Sequence, residues 1–189
     1  IDRIAFNPTG SSLAVLRPKK PIAIFSFRER NKKLFELKDK RKGLKEKPLM
    51  LAMCYGSDAR NFIASNSLGE IIVYDTKAYL PQAYIKCSAP ATALALSSNN
   101  YFIASAVGKN IVIWNFQTKE QRTSIPMPAT VKEVAFSTDA SLLAATTDDN
   151  RLTIIDTKNW EKVDIFDKLG GKLTSPSFHP EGKYVSVVL

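Results

Sequence analysis

Few residues of this chain have the type and spacing that catalysis requires. His179 is the only histidine, so a site built on Ser, His and Asp would have to use it. It lies in the segment SFHPEG between two apolar runs, where a structural turn residue is the simpler interpretation. The sequence therefore gives no catalytic residue, and we do not expect an enzyme.

Metal and cofactor chemistry has equally little support. Asp148, Asp149 and Asn150 could supply oxygen ligands to a cation, but three adjacent polar residues between apolar runs are more typical of a turn. The chain has no glycine-rich phosphate loop and no Cys or His pattern with zinc spacing. We expect no metal and no cofactor.

The most distinctive chemistry is a basic stretch. The whole net charge of +9 falls in residues 17–47, which hold thirteen Lys and Arg against four Asp and Glu. Such runs are usually solvated loops, but they can also bind an acidic protein segment, a nucleic acid backbone or an anionic lipid surface. The candidate binding patch, in loops 17–21 and 38–47, consists of Arg17, Lys19, Lys20, Lys38, Lys40, Arg41, Lys42, Lys45 and Lys47.

A fivefold repeat must position these loops. Each unit has an anchor residue at the end of its first apolar run, and the spacings between anchors are 49, 41, 40 and 42 residues. The anchors are Phe6, Tyr55, Leu96, Phe136 and Phe178. Four short strands in ~40–45 residues are typical of a β-propeller blade. The sequence predicts an all-β chain with blades at about 1–48, 49–89, 90–129, 130–170 and, in part, 171–189.

Small side chains recur at two places in the repeat, where blades would crowd together and larger residues would overpack. The residue before each anchor is Ala5, Cys54, Ala95, Ala135 or Ser177. We interpret the matching second-strand residue as Ala14, Ala64, Ala104, Ala144 or Ser186. This register predicts that Cys54 is buried, that Cys87 lies near the rim, and that the two do not form a disulfide.

Three segments carry a family resemblance: FIASNSLGEIIVYDT, FIASAVGKNIVIWNF and LLAATTDDNRLTIIDT. They resemble the second and third strands of WD40 repeats, which often end in Trp-Asp. The corresponding pairs here include Tyr74-Asp75 and Trp114-Asn115, and no unit has the family's Gly-His pair. The resemblance implies a propeller, with Trp114 in its core, but no particular subfamily. Trp160 is expected to be partly exposed in a turn.

The resemblance implies a non-catalytic scaffold that presents propeller loops to protein partners, including acidic ones. The alternative is binding of RNA or an anionic surface through the basic loops. About four and a half blades are present, and the family closes rings of roughly six to eight, so we expect part of a longer protein. The sequence contains no run of 18 apolar residues, so it predicts no transmembrane segment. Its two cysteines favour an intracellular compartment, cytoplasmic or nuclear.

Overall fold

The computed structural model describes residues 2–27, 33–37, 47–167, 170–171, 173–182 and 184–188. Over these residues the chain is all-β, with no helix. It divides into two compact units, Ile1–Ala91 and Thr92–Leu189.

The first unit contains two four-stranded antiparallel sheets whose strands follow chain order. The first sheet consists of β1 (Arg3–Phe6), β2 (Ser12–Leu16), β3 (Ile22–Ser26) and β4 (Lys33–Leu37). The second consists of β5 (Met50–Tyr55), β6 (Asn61–Asn66), β7 (Glu70–Asp75) and β8 (Pro81–Lys86).

The second unit contains two more four-stranded sheets and a two-stranded one. The third sheet consists of β9 (Ala93–Leu96), β10 (Phe102–Val107), β11 (Asn110–Asn115) and β12 (Gln121–Pro126). The fourth consists of β13 (Val131–Phe136), β14 (Leu142–Thr147), β15 (Leu152–Asp156) and β16 (Lys162–Phe166), and the fifth of β17 (Thr174–Phe178) and β18 (Val185–Val188).

Each sheet has two faces, because side chains alternate along a strand. We call the A face of the first sheet the side that carries the cross-strand neighbours Ala5, Ala14 and Ile24. The opposite side, the B face, carries Ile4 and Val15. The same names apply to the equivalent positions of the other sheets.

Within each unit, sheets pack with the A face of one on the B face of the next. In the first unit, Ala14 and Ile24 of the first A face share one core cluster with Met53 and Phe62 of the second B face. Two clusters of the second unit repeat the arrangement. One joins the A face of the third sheet to the B face of the fourth, and another joins the fourth sheet to the fifth. In each unit, therefore, the core forms where the A face of one sheet packs on the B face of the next.

The second sheet corrects one sequence assignment. Ala64 was matched to Ala14, Ala104 and Ala144, but Ala64 pairs with Met53, and the residue opposite Cys54 is Ile63. In the other sheets the equivalent pair is two small residues, such as Ala5 with Ala14. Ile63 is fully buried, so this position of the repeat also accepts a large aliphatic side chain.

An irregularity recurs between the third and fourth strands of all four complete sheets. The register shifts just before the last paired residue of the third strand, at Phe25, Tyr74, Trp114 and Ile155. A bulge of this kind adds one residue to one strand and increases the local twist. Each outer strand therefore diverges from its sheet at the same place.

Candidate binding surface

The described part of the candidate basic patch centres on the β2–β3 turn. Lys19 and Lys20 are exposed there, and the amide of Lys20 donates a 3.2 Å hydrogen bond to the carbonyl of Arg17. Lys19 has a φ of 54°, in the left-handed region that non-glycine residues seldom adopt. The turn thus places the ammonium groups of two adjacent lysines in solvent.

Arg17 differs from the two lysines. It is half-buried, and its Nε is buried without a hydrogen-bond partner. An unsatisfied donor next to exposed lysines is a group that an anion could satisfy. This applies to one atom only, and it adds to the charge argument without replacing it.

The antiparallel order of the first sheet places the ends of β2 and β4 together. Ile22, just after the turn, pairs with Leu37, the last residue of β4. Leu37 therefore ends β4 at the same end of the sheet as Lys19 and Lys20. Five members of the patch lie outside the described residues, namely Lys38, Lys40, Arg41, Lys42 and Lys45. Lys47, where the description resumes, is exposed.

In each of the two units, the turns between first and second strands are further candidate contact sites, which the sequence did not single out. In all five sheets the fourth turn residue is left-handed, with φ from 55° to 72°, and its amide donates to the carbonyl of the first residue at 2.8–3.0 Å. These fourth residues are Gly10, Ala59, Asn100, Ala140 and Gly182. The signal available in the sequence was the recurring polar tetrapeptide, in which only two of the five units have glycine.

Side chains brace these turns. In the fourth sheet Ser137 Oγ donates to Asp139 Oδ1 at 2.6 Å, and the amide of Ser141 donates to the same oxygen at 3.1 Å. The third sheet repeats this with Ser97 and Asn99. The hydrogen bonds from Ser137 and Ser141 lower the pKa of Asp139 to about 2, because they stabilise the charged carboxylate. The turns share this hydrogen-bonded geometry, and their third residue is exposed in every sheet.

His179 occupies the first position of the fifth such turn. Its Nδ1 accepts a 3.2 Å hydrogen bond from the amide of Glu181, and its ring lies edge-on to Tyr184 with the centroids 6.0 Å apart. The side chain is exposed and takes part in the turn.

Asp148 and Asp149 lie in the β14–β15 turn, and both have cationic partners. Lys132 Nζ is 2.6 Å from Asp148 Oδ1, and Arg151 Nε is 3.4 Å from Asp149 Oδ2. Asn150 has a φ of 59°, as expected for an Asn in a tight turn. Among the residues that the structure describes, no group of three His, Cys, Asp or Glu could hold a metal ion.

Cys54 and Cys87 form no disulfide, as predicted, but Cys54 is less buried than predicted. Cys54 is half-buried, whereas Cys87 is buried. Cys87 follows β8 and donates its amide to the carbonyl of Gly69 at 2.7 Å, next to the Glu70–Lys86 pair of β7 and β8. Burial raises its pKa to about 11, because the thiolate loses its hydration.

Both tryptophans are part of the packing. Trp114 is buried, and its Nε1 donates to Ser105 Oγ at 2.9 Å, which in turn donates to the carbonyl of Val112 at 3.0 Å. Trp160 is half-buried and packs edge-on against Phe102 with the ring centroids 5.0 Å apart. Neither forms an exposed stacking platform.

No protein-family model matches the sequence, and no curated protein sequence matches it either. Across the residues that the structure describes, no helical segment meets the length and apolarity that a bilayer crossing needs.

Proposed function

We propose that this chain is a non-catalytic interaction module of a WD40-like β-propeller, which presents its turns to protein partners. The observation that carries the proposal is the repeated turn with one backbone geometry and different exposed residues. A turn whose backbone is held by hydrogen bonds and whose exposed side chains differ between sheets suits recognition, because an ordered backbone loses little conformational entropy on binding.

The packing supports the propeller part of this proposal. Four-stranded antiparallel sheets that stack A face on B face in each unit are the construction of propeller blades. The hydrogen bond from Trp114 to Ser105 joins a third strand to a second strand. WD40 repeats build a buried network from a Trp, a Ser or Thr, an Asp and a His, and this pair corresponds to one link of it.

Two exposed turn residues, Arg60 and Tyr101, are the types that dominate binding energies at protein interfaces. They occupy the same turn position in the second and third sheets. We therefore expect them to contribute to partner binding.

The test is selection of a displayed peptide library on the folded chain, followed by affinity measurements on the enriched peptides. The change of Arg60 and Tyr101 to Ala should weaken binding at least tenfold. The matched control changes Arg122 and Tyr84, which are exposed on outer strands, to Ala. No enrichment, or equal loss in both variants, would contradict the proposal.

The second candidate function is binding of RNA or an anionic surface through the basic loops. The exposed Lys19 and Lys20 and the unsatisfied Nε of Arg17 favour it. Affinity for a polyanion falls steeply with salt, because binding releases counterions.

This candidate is tested with RNA, anionic vesicles and acidic peptides at several salt concentrations. One variant changes Lys19, Lys20, Lys40, Arg41 and Lys42 to Ala. The control removes five exposed charges elsewhere, at Lys77, Lys86, Lys109, Arg122 and Lys158. Only the first variant should lose affinity and salt dependence. Equal binding by both variants at low salt would leave the loops as a solubility feature.

A further inference from the structure

Two exposed leucines of the first unit are held close together at one end of the second sheet. The amide of Leu49 donates a 3.0 Å hydrogen bond to Ser67 Oγ, and the amide of Ser67 donates to the Leu49 carbonyl at 2.8 Å. Leu68 follows Ser67 in the β6–β7 turn. Leu49 and Leu68 are 43% and 44% exposed and lie outside the strands. The sheets of each unit pack face to face, so these leucines at a sheet end are not part of that packing.

The backbone of the β6–β7 turn is fixed by the side chain of Asn66, which is fully buried. Its Oδ1 accepts hydrogen bonds from the amides of Leu68 and Glu70 at 3.0 and 3.1 Å. Its Nδ2 donates to Glu70 Oε2 at 2.8 Å, so this carboxylate takes part in the turn. The turn therefore holds Leu68 in an exposed position.

The basic β2–β3 turn lies at the same end of the first unit. A hydrogen bond joins the side chains of Tyr55, which ends β5, and Ser12, which begins β2. Leu16 and Met50, at the other ends of these two strands, pack in one core cluster. The β2–β3 turn follows Leu16, and Leu49 precedes Met50. The turn and the leucines therefore lie on the same side of the unit.

Exposed lysines accompany the leucines at this end. Lys19 and Lys20 belong to the β2–β3 turn, and Lys47 precedes Leu49 by two residues. The exposed carboxylate of Asp2 also lies there, since its amide donates to the Leu16 carbonyl, but the lysines outnumber it. The leucine–lysine surface consists of Lys19, Lys20, Lys47, Leu49 and Leu68.

We propose that the leucine–lysine surface binds an anionic lipid bilayer, with its lysines on the headgroups and its leucines in the apolar layer beneath them. The inference rests on the second candidate function and names lipid as the anionic partner. An RNA backbone attracts lysine but offers leucine no apolar environment. A bilayer interface offers both, and being fluid it needs no shaped cleft in the protein.

The test measures binding of the full chain to four probes: vesicles of phosphatidylcholine, vesicles that also contain phosphatidylserine, single-stranded RNA and an acidic peptide. The leucine variant carries Leu49→Ser and Leu68→Ser. Its matched control carries Leu34→Ser and Leu80→Ser, at exposed leucines of the same unit that lie at the other end of their sheets. Thermal unfolding checks that each variant is folded, and Leu68→Ser alone replaces the leucine variant if it is not.

The parent should bind vesicles with phosphatidylserine and bind phosphatidylcholine alone weakly, because charge attraction and apolar insertion act together. The leucine variant should lose at least about fivefold in affinity for the anionic vesicles. It should keep whatever affinity for RNA the parent has. The control should bind all four probes as the parent does.

A lysine variant separates the contribution of charge. Lys19→Gln with Lys20→Gln should lower the affinity for anionic vesicles roughly fivefold per lysine, and by less at high salt. Lys77→Gln with Lys158→Gln, at exposed lysines elsewhere, should have little effect. The loss in the leucine variant should persist at high salt, because burial of apolar surface is not screened.

Three results would overturn the proposal. A leucine variant that binds anionic vesicles as tightly as the parent would show that the leucines stay in water. Equal losses for the vesicles and the acidic peptide would indicate a protein partner for the same surface. A parent that binds no anionic vesicles would exclude lipid, and the second candidate function would then survive only if RNA or the acidic peptide is bound.

Discussion

The hydroxyl group of Thr157 donates a 2.7 Å hydrogen bond to the carbonyl oxygen of Ala140, the left-handed residue of the fourth-sheet turn. Thr76 and Ala59 repeat the bond in the second sheet at 2.6 Å. In the first and third sheets the left-handed residue is Gly10 or Asn100, and Phe27 or Phe116 stands in place of the threonine. The threonine thus accompanies alanine, which tolerates this conformation less well than glycine or asparagine does.

Loss of this bond should destabilise the second unit. We expect Thr157→Val to lower the free energy of unfolding by about 1 kcal/mol, the usual net value of one hydrogen bond. Chemical denaturation of the parent and variant measures it. The control is Thr138→Val, because the Thr138 hydroxyl makes only a 3.3 Å exposed bond to the His179 carbonyl. Equal losses would show that the Ala140 contact has no special weight.

A side chain at the left-handed turn position should lower the stability of the fold even where it would clash with no neighbouring atom. Gly10 has a φ of 68°, and a Cβ added there would meet nothing within 4 Å. Gly10→Ala should therefore cost roughly 1 kcal/mol from backbone conformation alone. Gly170 is equally open but is not left-handed, so Gly170→Ala should be neutral or slightly stabilising. Equal decreases in the thermal unfolding midpoints of Gly10→Ala and Gly170→Ala would contradict this explanation.

Stability should depend on the ionisation of Asp139. Its pKa is about 2 in the folded chain, below the value of about 3.9 expected in the unfolded chain. The carboxylate therefore stabilises the fold above the unfolded pKa, and this contribution is lost as the pH falls toward 2. Asp139 is exposed, so solvent screening keeps the effect below about 1 kcal/mol. The difference in unfolding free energy between parent and Asp139→Asn should narrow from pH 6 to pH 2.5, and a constant difference would argue against it.

The two thiols should react at different rates. At pH 8 a thiol with a pKa of about 11 is thiolate in about one molecule in a thousand, and Cys87 is also buried. Folded protein treated with a thiol reagent should modify Cys54 first, and denatured protein should modify both. Cys87→Ser should leave the fast phase unchanged. A fast phase that disappears in this variant would reverse the assignment.

Small residues in the stacked faces should resist enlargement. Ala95 is buried in the cluster between the third and fourth sheets. We expect Ala95→Leu to destabilise by ~1–3 kcal/mol through overpacking, whereas Ala78→Leu, at an exposed turn residue, should have little effect. An unchanged denaturation midpoint for Ala95→Leu would mean that the cluster has unfilled space.

The sequence predicted strand order and repeat length, because turn residues and apolar runs are local signals. It misplaced the small position of the second sheet because Ile63 and Ala64 are neighbours, and either phase fits an apolar strand. The choice between them depends on pairing with β5, whose register shifts between Met50 and Ala52. The sequence also predicted Cys54 as buried, and it is half-buried, because exposure depends on the neighbouring sheets and not on the local pattern.

For the candidate binding residues, too, the sequence predicted the local features but not those that depend on tertiary structure. Charge counts located the basic loops, but the unsatisfied Nε of Arg17 required coordinates. Ile4 and Phe6 are exposed on a strand with the apolar pattern of a core strand, and sequence alone does not distinguish a covered face from an uncovered one. Coverage is a tertiary property of the stack.

The bulge shared by all four complete sheets restricts how the chain can aggregate. An edge strand that is flat and apolar can recruit strands from other molecules into cross-β fibrils. Here β4, β8, β12 and β16 each twist away from their sheet at a bulge, and each carries charged side chains such as Lys33, Lys86, Arg122 and Lys162. Growth by strand addition along these four outer edges is therefore disfavoured.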